Sequence, residues 1–177
     1  MQQGKLYLIP IVLAENTSHF IPSFTKTILE ETNIYIVENI KTARRFIKSI
    51  LKEKNIDACV FVELDKHQQY KFDDTILTEI FNGKNIGLMS EAGTPCIADP
   101  GNKVVEMAHE MNIQVVPLVG PSSILMALMA SGFNGQQFSF NGYLPIEANA
   151  RKSTLQQMET LAKKGITQLF MDTPYRN

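Results

Sequence analysis

The sequence predicts an α/β protein: a mostly parallel five-stranded α/β domain at the N-terminus, followed by part of a second α/β domain. Three observations carry this reading. Short apolar runs rich in Val and Ile recur along the first 119 residues, and segments of helical period separate them. Several runs are also apolar at consecutive positions rather than alternating, which marks strands covered on both faces, as in a parallel sheet between helices.

The elements follow in order. KLYLIPIVL (5–13) is the first strand and IYIVE (34–38) the second. KTARRFIKSILKEK (41–54) sets Ala43, Phe46, Ile47, Ile50 and Leu51 on one face with Lys and Arg opposite, an amphipathic helix. DACVFVEL (57–64) is the third strand, and DDTILTEIFNG (73–83) is a helix with an Asp cap and a terminating Gly83. IGLMS (86–90) is the fourth strand, NKVVEMAHEMN (102–112) a helix, and IQVVPLV (113–119) the fifth strand.

After VVPLVG the texture changes, which sets the expected domains at 1–118 and 119–177. PSSILMALMASG (121–132) is a helix with Pro at its start and Gly past its end. Its body is apolar nearly all round, so it is expected to be buried, in the core or across a dimer. FSFNGYLP (138–145) reads as a strand, EANARKSTLQQMETLAKK (147–164) as a helix, and ITQLFMD (166–172) as another strand. One strand, one helix and one strand are too few for a closed domain, so the second domain is expected to be incomplete.

Composition bounds the function. The 177 residues carry a formal net charge of −1, so no global positive field announces a polyanion. Cys59 and Cys96 lie far apart with no metal-ligand spacing and read as free thiols of a reducing, cytoplasmic compartment. No apolar run is long enough to span a membrane. His19, His67 and His109 lack HxxxH spacing, so no metal is expected, and there is no GxSxG elbow.

The densest chemistry lies in SEAGTPCIADPG (90–101), directly after the fourth strand. Ligands of open α/β sheets bind beyond the carboxyl ends of strands, so the stretch is either a ligand loop or a rigid turn into the next helix. GxxxxGK[ST] and GxGxxG are both absent, which sets aside the familiar phosphate loops. In VGPSS (119–123) a strand end meets a helix start whose hydroxyls and N–H groups either receive an anionic ligand group or cap the helix. Arg44, Arg45 and Arg151 are either solvated helix faces or a phosphate-contacting surface.

The order of LYLIP, IYIVENIKTARR, GLMSEAGTPCIADPG, VVPLVGPSS, FSFNGYLP and LFMDTPYRN resembles the tetrapyrrole methylase superfamily. Within it, the sequence is similar to the bacterial methyltransferases of a ribose 2′-hydroxyl in small-subunit ribosomal RNA. The resemblance implies S-adenosylmethionine as cofactor, a homodimer, and ribosomal RNA or the small ribosomal subunit as partner. It also implies that Pro10 at the end of the first strand, Ser90, Glu91, Ala92, Gly93, Thr94, Ser122, Ser123 and Met171 line the cofactor. No catalytic residue is assigned; Glu91, Asp99 and Lys66 are candidates for a base acting on the hydroxyl. A small-molecule or protein acceptor, or a cofactor-binding remnant without turnover, is the alternative.

Overall fold

The computed structural model describes residues 3–64 and 73–173. The chain divides into two compact units, Met1–Ser122 and Ser123–Asn177. Strands β1 (Leu6–Leu8), β2 (Ile34–Val37), β3 (Val60–Glu63), β4 (Ile86–Met89) and β5 (Val115–Pro117) form one sheet in the order β3-β2-β4-β1-β5. Every pairing is parallel. β2 and β4 read buried at every position, as the consecutive apolar runs require.

Two apolar layers flank this sheet. Helices α1 (Ser23–Glu31) and α2 (Ile40–Ile50) pack Ile28, Leu29, Ala43, Phe46 and Ile47 against Tyr7, Ile9 and Tyr35. On the other face, α3 (Asn102–Glu110) and a 3-10 helix, Asp74–Ile80, bring Val104, Ala108, Leu77 and Ile80 onto Leu6, Ile36 and Leu88. This division follows from right-handed crossovers: connections that move toward β3 cover one face, and those that return toward β5 cover the other. Each fully buried Leu or Ile contributes about 1.5–3 kcal/mol, and strands, helices and strand exits all supply such side chains, among them Leu6, Leu29, Ile47, Leu77 and Ile86.

Several elements differ from the sequence reading. The first strand stops at Leu8, because Pro10 has no N–H to continue the ladder and Ile11 turns to bond elsewhere. The third begins later than expected, since Asn55 accepts from Asp57 N–H and starts a 3-10 turn at Ile56–Ala58. The segment after Asp73 is a 3-10 rather than an α-helix; Leu77 and Ile80, three apart, are the buried pair, and a period of three aligns them. α2 ends at Ile50, and Lys54 turns back to donate to the carbonyls of Glu30 and Thr32 at the end of α1. α1 itself has no counterpart in the sequence reading. Its Thr25, Thr27 and Ile28 are poor helix formers, and the helix is held by burial of Thr25, Ile28 and Leu29.

The second unit has α4 (Ser123–Ser131), β6 (Phe138–Tyr143), α5 (Ala148–Ala162) and β7 (Thr167–Met171), with β6 and β7 paired in parallel. α4 corrects the expectation of burial in the chain's own core: Leu128 is its one buried residue, while Leu125, Met126 and Met129 are exposed. Phe138, Tyr143 and Phe170 of the strands are exposed as well. A two-stranded parallel sheet with a single crossover helix offers too little surface to cover them. Among the described residues no helix is long and apolar enough to cross a membrane.

Candidate active site

The carboxyl ends of β1, β4 and β5 meet at one place, and glycines make the meeting possible. Past β1, Ile11 N–H donates to the carbonyl of Gly93 at 2.9 Å, forming an isolated antiparallel bridge. Gly93 has φ +69°, and a Cβ there would stand 3.0 Å from Leu13 Cδ2 and 3.1 Å from the carbonyl oxygen of Pro121. Gly120 passes so close to Pro10 that an added Cβ would lie 2.2 Å from Pro10 Cβ and Cγ. Residues far apart in sequence, at 10–13, 93 and 120–121, are thus within van der Waals reach.

The loop after β4 is fastened at several points. Ser90 is buried, and its hydroxyl donates to the carbonyls of Ala92 at 3.2 Å and Gly93 at 3.4 Å, so it serves the loop's own path. Glu91 N–H donates to Glu38 Oε1 at 3.1 Å, which ties the loop to the end of β2. Sequence reasoning missed Glu38; its position directly after a strand and beside the capping Asn39 was the available signal. Glu91 and Ala92 are exposed and Thr94 is half-buried.

Beside this loop opens a cleft of about 450 Å³, within the roughly 300–1,000 Å³ of small-molecule sites. Its walls are residues 11–16, Thr42, Arg45, Phe46, Ser49, Glu91 and Ala92. Ile11, Leu13 and Phe46 offer apolar surface, Thr42 and Ser49 hydroxyls, and Glu15 and Glu91 carboxylates. Arg45 stands 3.5 Å from Glu15 at the cleft. Arg44 is engaged elsewhere, paired with Asp57 and lying 5.7 Å over the ring of Phe61. Arg151 donates to the carbonyl of Ile146 in the second unit.

Of the other predicted site residues, Pro10 is buried at the strand junction and Ser122 ends the first unit. Ser123 opens α4 and Met171 closes β7, both in the second unit. Among the candidate bases, Lys66 lies outside the described residues. Asp99 is not placed to take a proton from a ligand: its Oδ2 is sealed from solvent and has no hydrogen-bond partner among the described residues. Oδ1 accepts from Gly101 N–H at 2.7 Å.

Burial pushes the Asp99 carboxyl above the ordinary carboxylate range, against the pull of the Gly101 N–H and the weaker pulls of Cys96 and Ile97 N–H. The neighbouring Cys96 thiol is pushed up to about 12, by burial first and by Asp99 second, so it stays un-ionised near neutrality. A raised folded-state value means that the folded chain holds the proton over a window in which the unfolded chain has lost it. Asp99's contribution is full below about pH 4 and is lost as pH rises through its raised folded value. Urea unfolding across that range should show wild type losing stability relative to Asp99→Asn as pH increases, with the difference levelling off above the window. A difference independent of pH would refute the burial of this carboxyl.

No family model matches the chain. It is 32% identical over 173 residues to a ribosomal RNA small subunit methyltransferase I of Buchnera aphidicola, covering 98% of this chain and 57% of that protein. It is 31% identical over 174 residues to the protein of that name from Escherichia coli O157:H7, again covering 98% and 57%. The Vibrio cholerae protein of that name is 36% identical over 132 residues, 75% of this chain and 44% of its own length. The chain thus spans about half the length of the curated relatives it matches. Among solved structures, a uroporphyrin-III-C-methyltransferase from Thermus thermophilus matches with a TM-score of 0.52 at 15% identity, over 82% of this chain and 65% of that one. This likeness shows a shared fold, that of a tetrapyrrole methyltransferase.

Proposed function

We propose that this chain, a member of the ribosomal RNA small subunit methyltransferase I family, forms the cofactor-binding part of an S-adenosylmethionine-dependent methyltransferase that acts on a ribose 2′-hydroxyl of small-subunit ribosomal RNA. The observation that supports it most is the convergence of Pro10, Gly93 and Gly120 at three strand ends, beside a cleft of small-molecule size, in a chain whose relatives are named ribosomal RNA small subunit methyltransferases. A small-molecule acceptor such as a tetrapyrrole ranks second, because only the shared fold favours it. The same reading makes the complete protein a homodimer, as the family resemblance implies, working in the cytoplasm where ribosomal RNA is modified.

The residues present fit the cofactor chemically. Apolar Ile11, Leu13 and Phe46 suit a purine, Thr42 and Ser49 offer hydrogen bonds, and the carboxylates of Glu15 and Glu91 suit a cationic ligand. When bound, S-adenosylmethionine supplies a methyl group on a sulfonium, open to direct in-line displacement by an oxygen. The protein's part is then to hold, align and exclude water, which needs no covalent nucleophile. Ile11 and Leu13 line the cleft just past Pro10, and the Glu38–Glu91 bond holds the loop at its side. Glu91 remains the described carboxylate in the loop that reaches the cleft, and so the group proposed to act on the acceptor's proton.

Calorimetry of the chain with S-adenosylhomocysteine tests the cofactor, and no heat at millimolar ligand would sink the reading. Mapping ribose methylation on small-subunit ribosomal RNA after deletion of the gene tests the acceptor; an unchanged map would favour the small-molecule alternative. Glu38→Ala removes the acceptor for Glu91 N–H, at a cost of about 1 kcal/mol, or a roughly fivefold loss of affinity for S-adenosylhomocysteine. Glu38→Gln keeps an acceptor oxygen and should lose less.

A further inference from the structure

Within the same loop, the turn between Pro95 and Gly101 uses conformations that ordinary residues avoid. Cys96 has φ +70° and Ala98 φ +62°, and Gly93 shortly before them has φ +69°. Side-chain-bearing residues stay in the left-handed region only where their surroundings hold them there. One side chain is placed to do so. Asp99 Oδ1 accepts from Gly101 N–H at 2.7 Å, which closes the chain just past Ala98 back onto the carboxyl. The carboxyl is boxed in: a Cβ on Gly101 would meet Asp99 Oδ1 at 2.8 Å, Leu88 Cδ2 at 3.2 Å and Cys96 Sγ at 3.3 Å. Leu88 belongs to β4 itself, so the box joins the turn to the strand that carries the loop.

We infer that Asp99 is a positioning residue for the cofactor loop: its enclosed carboxyl fastens the left-handed turn at Cys96–Ala98 and so fixes where Gly93, Thr94 and Pro95 stand at the end of β4. This rests on the reading of that loop as the cofactor's. It reassigns Asp99 from proton acceptor to scaffold, because Oδ1 is held by Gly101 N–H and Oδ2 is sealed from solvent without a hydrogen-bond partner among the described residues. Helix capping alone does not account for the arrangement. Asp99 holds the N–H of Gly101, the N-cap of α3, but the same position is also walled by Cys96 Sγ of the turn and Leu88 Cδ2 of β4.

The test compares Asp99→Ala, Asp99→Asn and Gly101→Ala in the whole chain, at a temperature where each is folded by circular dichroism. Two quantities are read: affinity for S-adenosylhomocysteine by calorimetry, and hydrogen exchange of the Gly101 amide. Asp99→Ala should weaken binding about tenfold and speed exchange by a similar factor, the scale of one lost charge-assisted bond. Asn keeps a carbonyl oxygen for Gly101 N–H, so Asp99→Asn should stay within about threefold of wild type. Gly101→Ala keeps the carboxyl but pushes it away, and should follow Asp99→Ala; it carries the comparison if Asp99→Ala does not fold.

Wild-type affinity in both Asp99→Ala and Gly101→Ala overturns the inference, as does an asparagine no better than alanine. If the wild type itself gives no heat, the cofactor reading has failed. Gly101 exchange then decides separately whether Asp99 holds the turn.

Discussion

Gly93→Val is expected to cut affinity for S-adenosylhomocysteine at least about tenfold and to destabilise the first unit by about 2–4 kcal/mol. Two costs add. A Cβ at φ +69° strains the backbone by about 1–2 kcal/mol, and more for a β-branched residue. The new atoms also press on Leu13 Cδ2 and on the carbonyl oxygen of Pro121. Leu13 can move, but the Pro121 carbonyl is backbone, so the loop must yield and the Ile11–Gly93 bridge with it. Gly93→Ala should show the same direction at smaller size. Urea unfolding gives the stability and calorimetry the affinity; a Gly93→Val chain that binds as wild type would remove the loop from the site.

Gly120→Ala should cost about 3 kcal/mol, the upper end for overpacking, even though Ala is the smallest possible side chain. Its Cβ would stand 2.2 Å from two atoms of the Pro10 ring, which cannot rotate away. Relief requires the exits of β1 and β5 to separate, which opens the junction where the loop of β4 is seated. Adding Pro10→Gly removes both clashing atoms, leaving Pro10's Cα position at 3.7 Å. The double variant should therefore be more stable than Gly120→Ala alone by urea unfolding, despite the flexibility that glycine adds to the unfolded chain. A double variant less stable than the single one would show that Pro10 and Gly120 are not in contact.

The legible parts of the fold were those written locally. Ala43, Phe46 and Ile47 recur at helical spacing and are buried in α2, and the consecutive apolar residues of IYIV and IGLM mark the two strands buried at every position. α1 was illegible because its Thr and Ile residues carry weak helix propensity, and only the sheet beneath it supplies the missing stability. The 3-10 geometry of Asp74–Ile80 was hidden for a similar reason: Leu77 and Ile80 satisfy a period of three as well as one of 3.6. LMALM looked like core because composition says what a helix prefers to touch, not whether anything is there to cover it.

The candidate site divides in the same way. SEAGTPCIADPG stood out in the sequence because Gly, Pro and hydroxyls cluster after a strand, and the resemblance named the residues of the loop. What each side chain does there was a matter of three dimensions. Ser90 turns its hydroxyl into the loop, and Asp99, a candidate base on paper, is sealed away. Glu38, unremarkable in IYIVEN, holds Glu91 N–H across 53 positions.

The sequence by itself determined the α/β class, the strands and the position of the loop, because backbone conformation and hydrophobic period act over a few residues. The tertiary structure alone decided that β1, β4 and β5 end side by side, with Gly120 against Pro10 and Gly93 against Leu13 and Pro121. That adjacency comes from the order β3-β2-β4-β1-β5, a choice made by packing helices on both faces of the sheet, which no local stretch of the chain encodes.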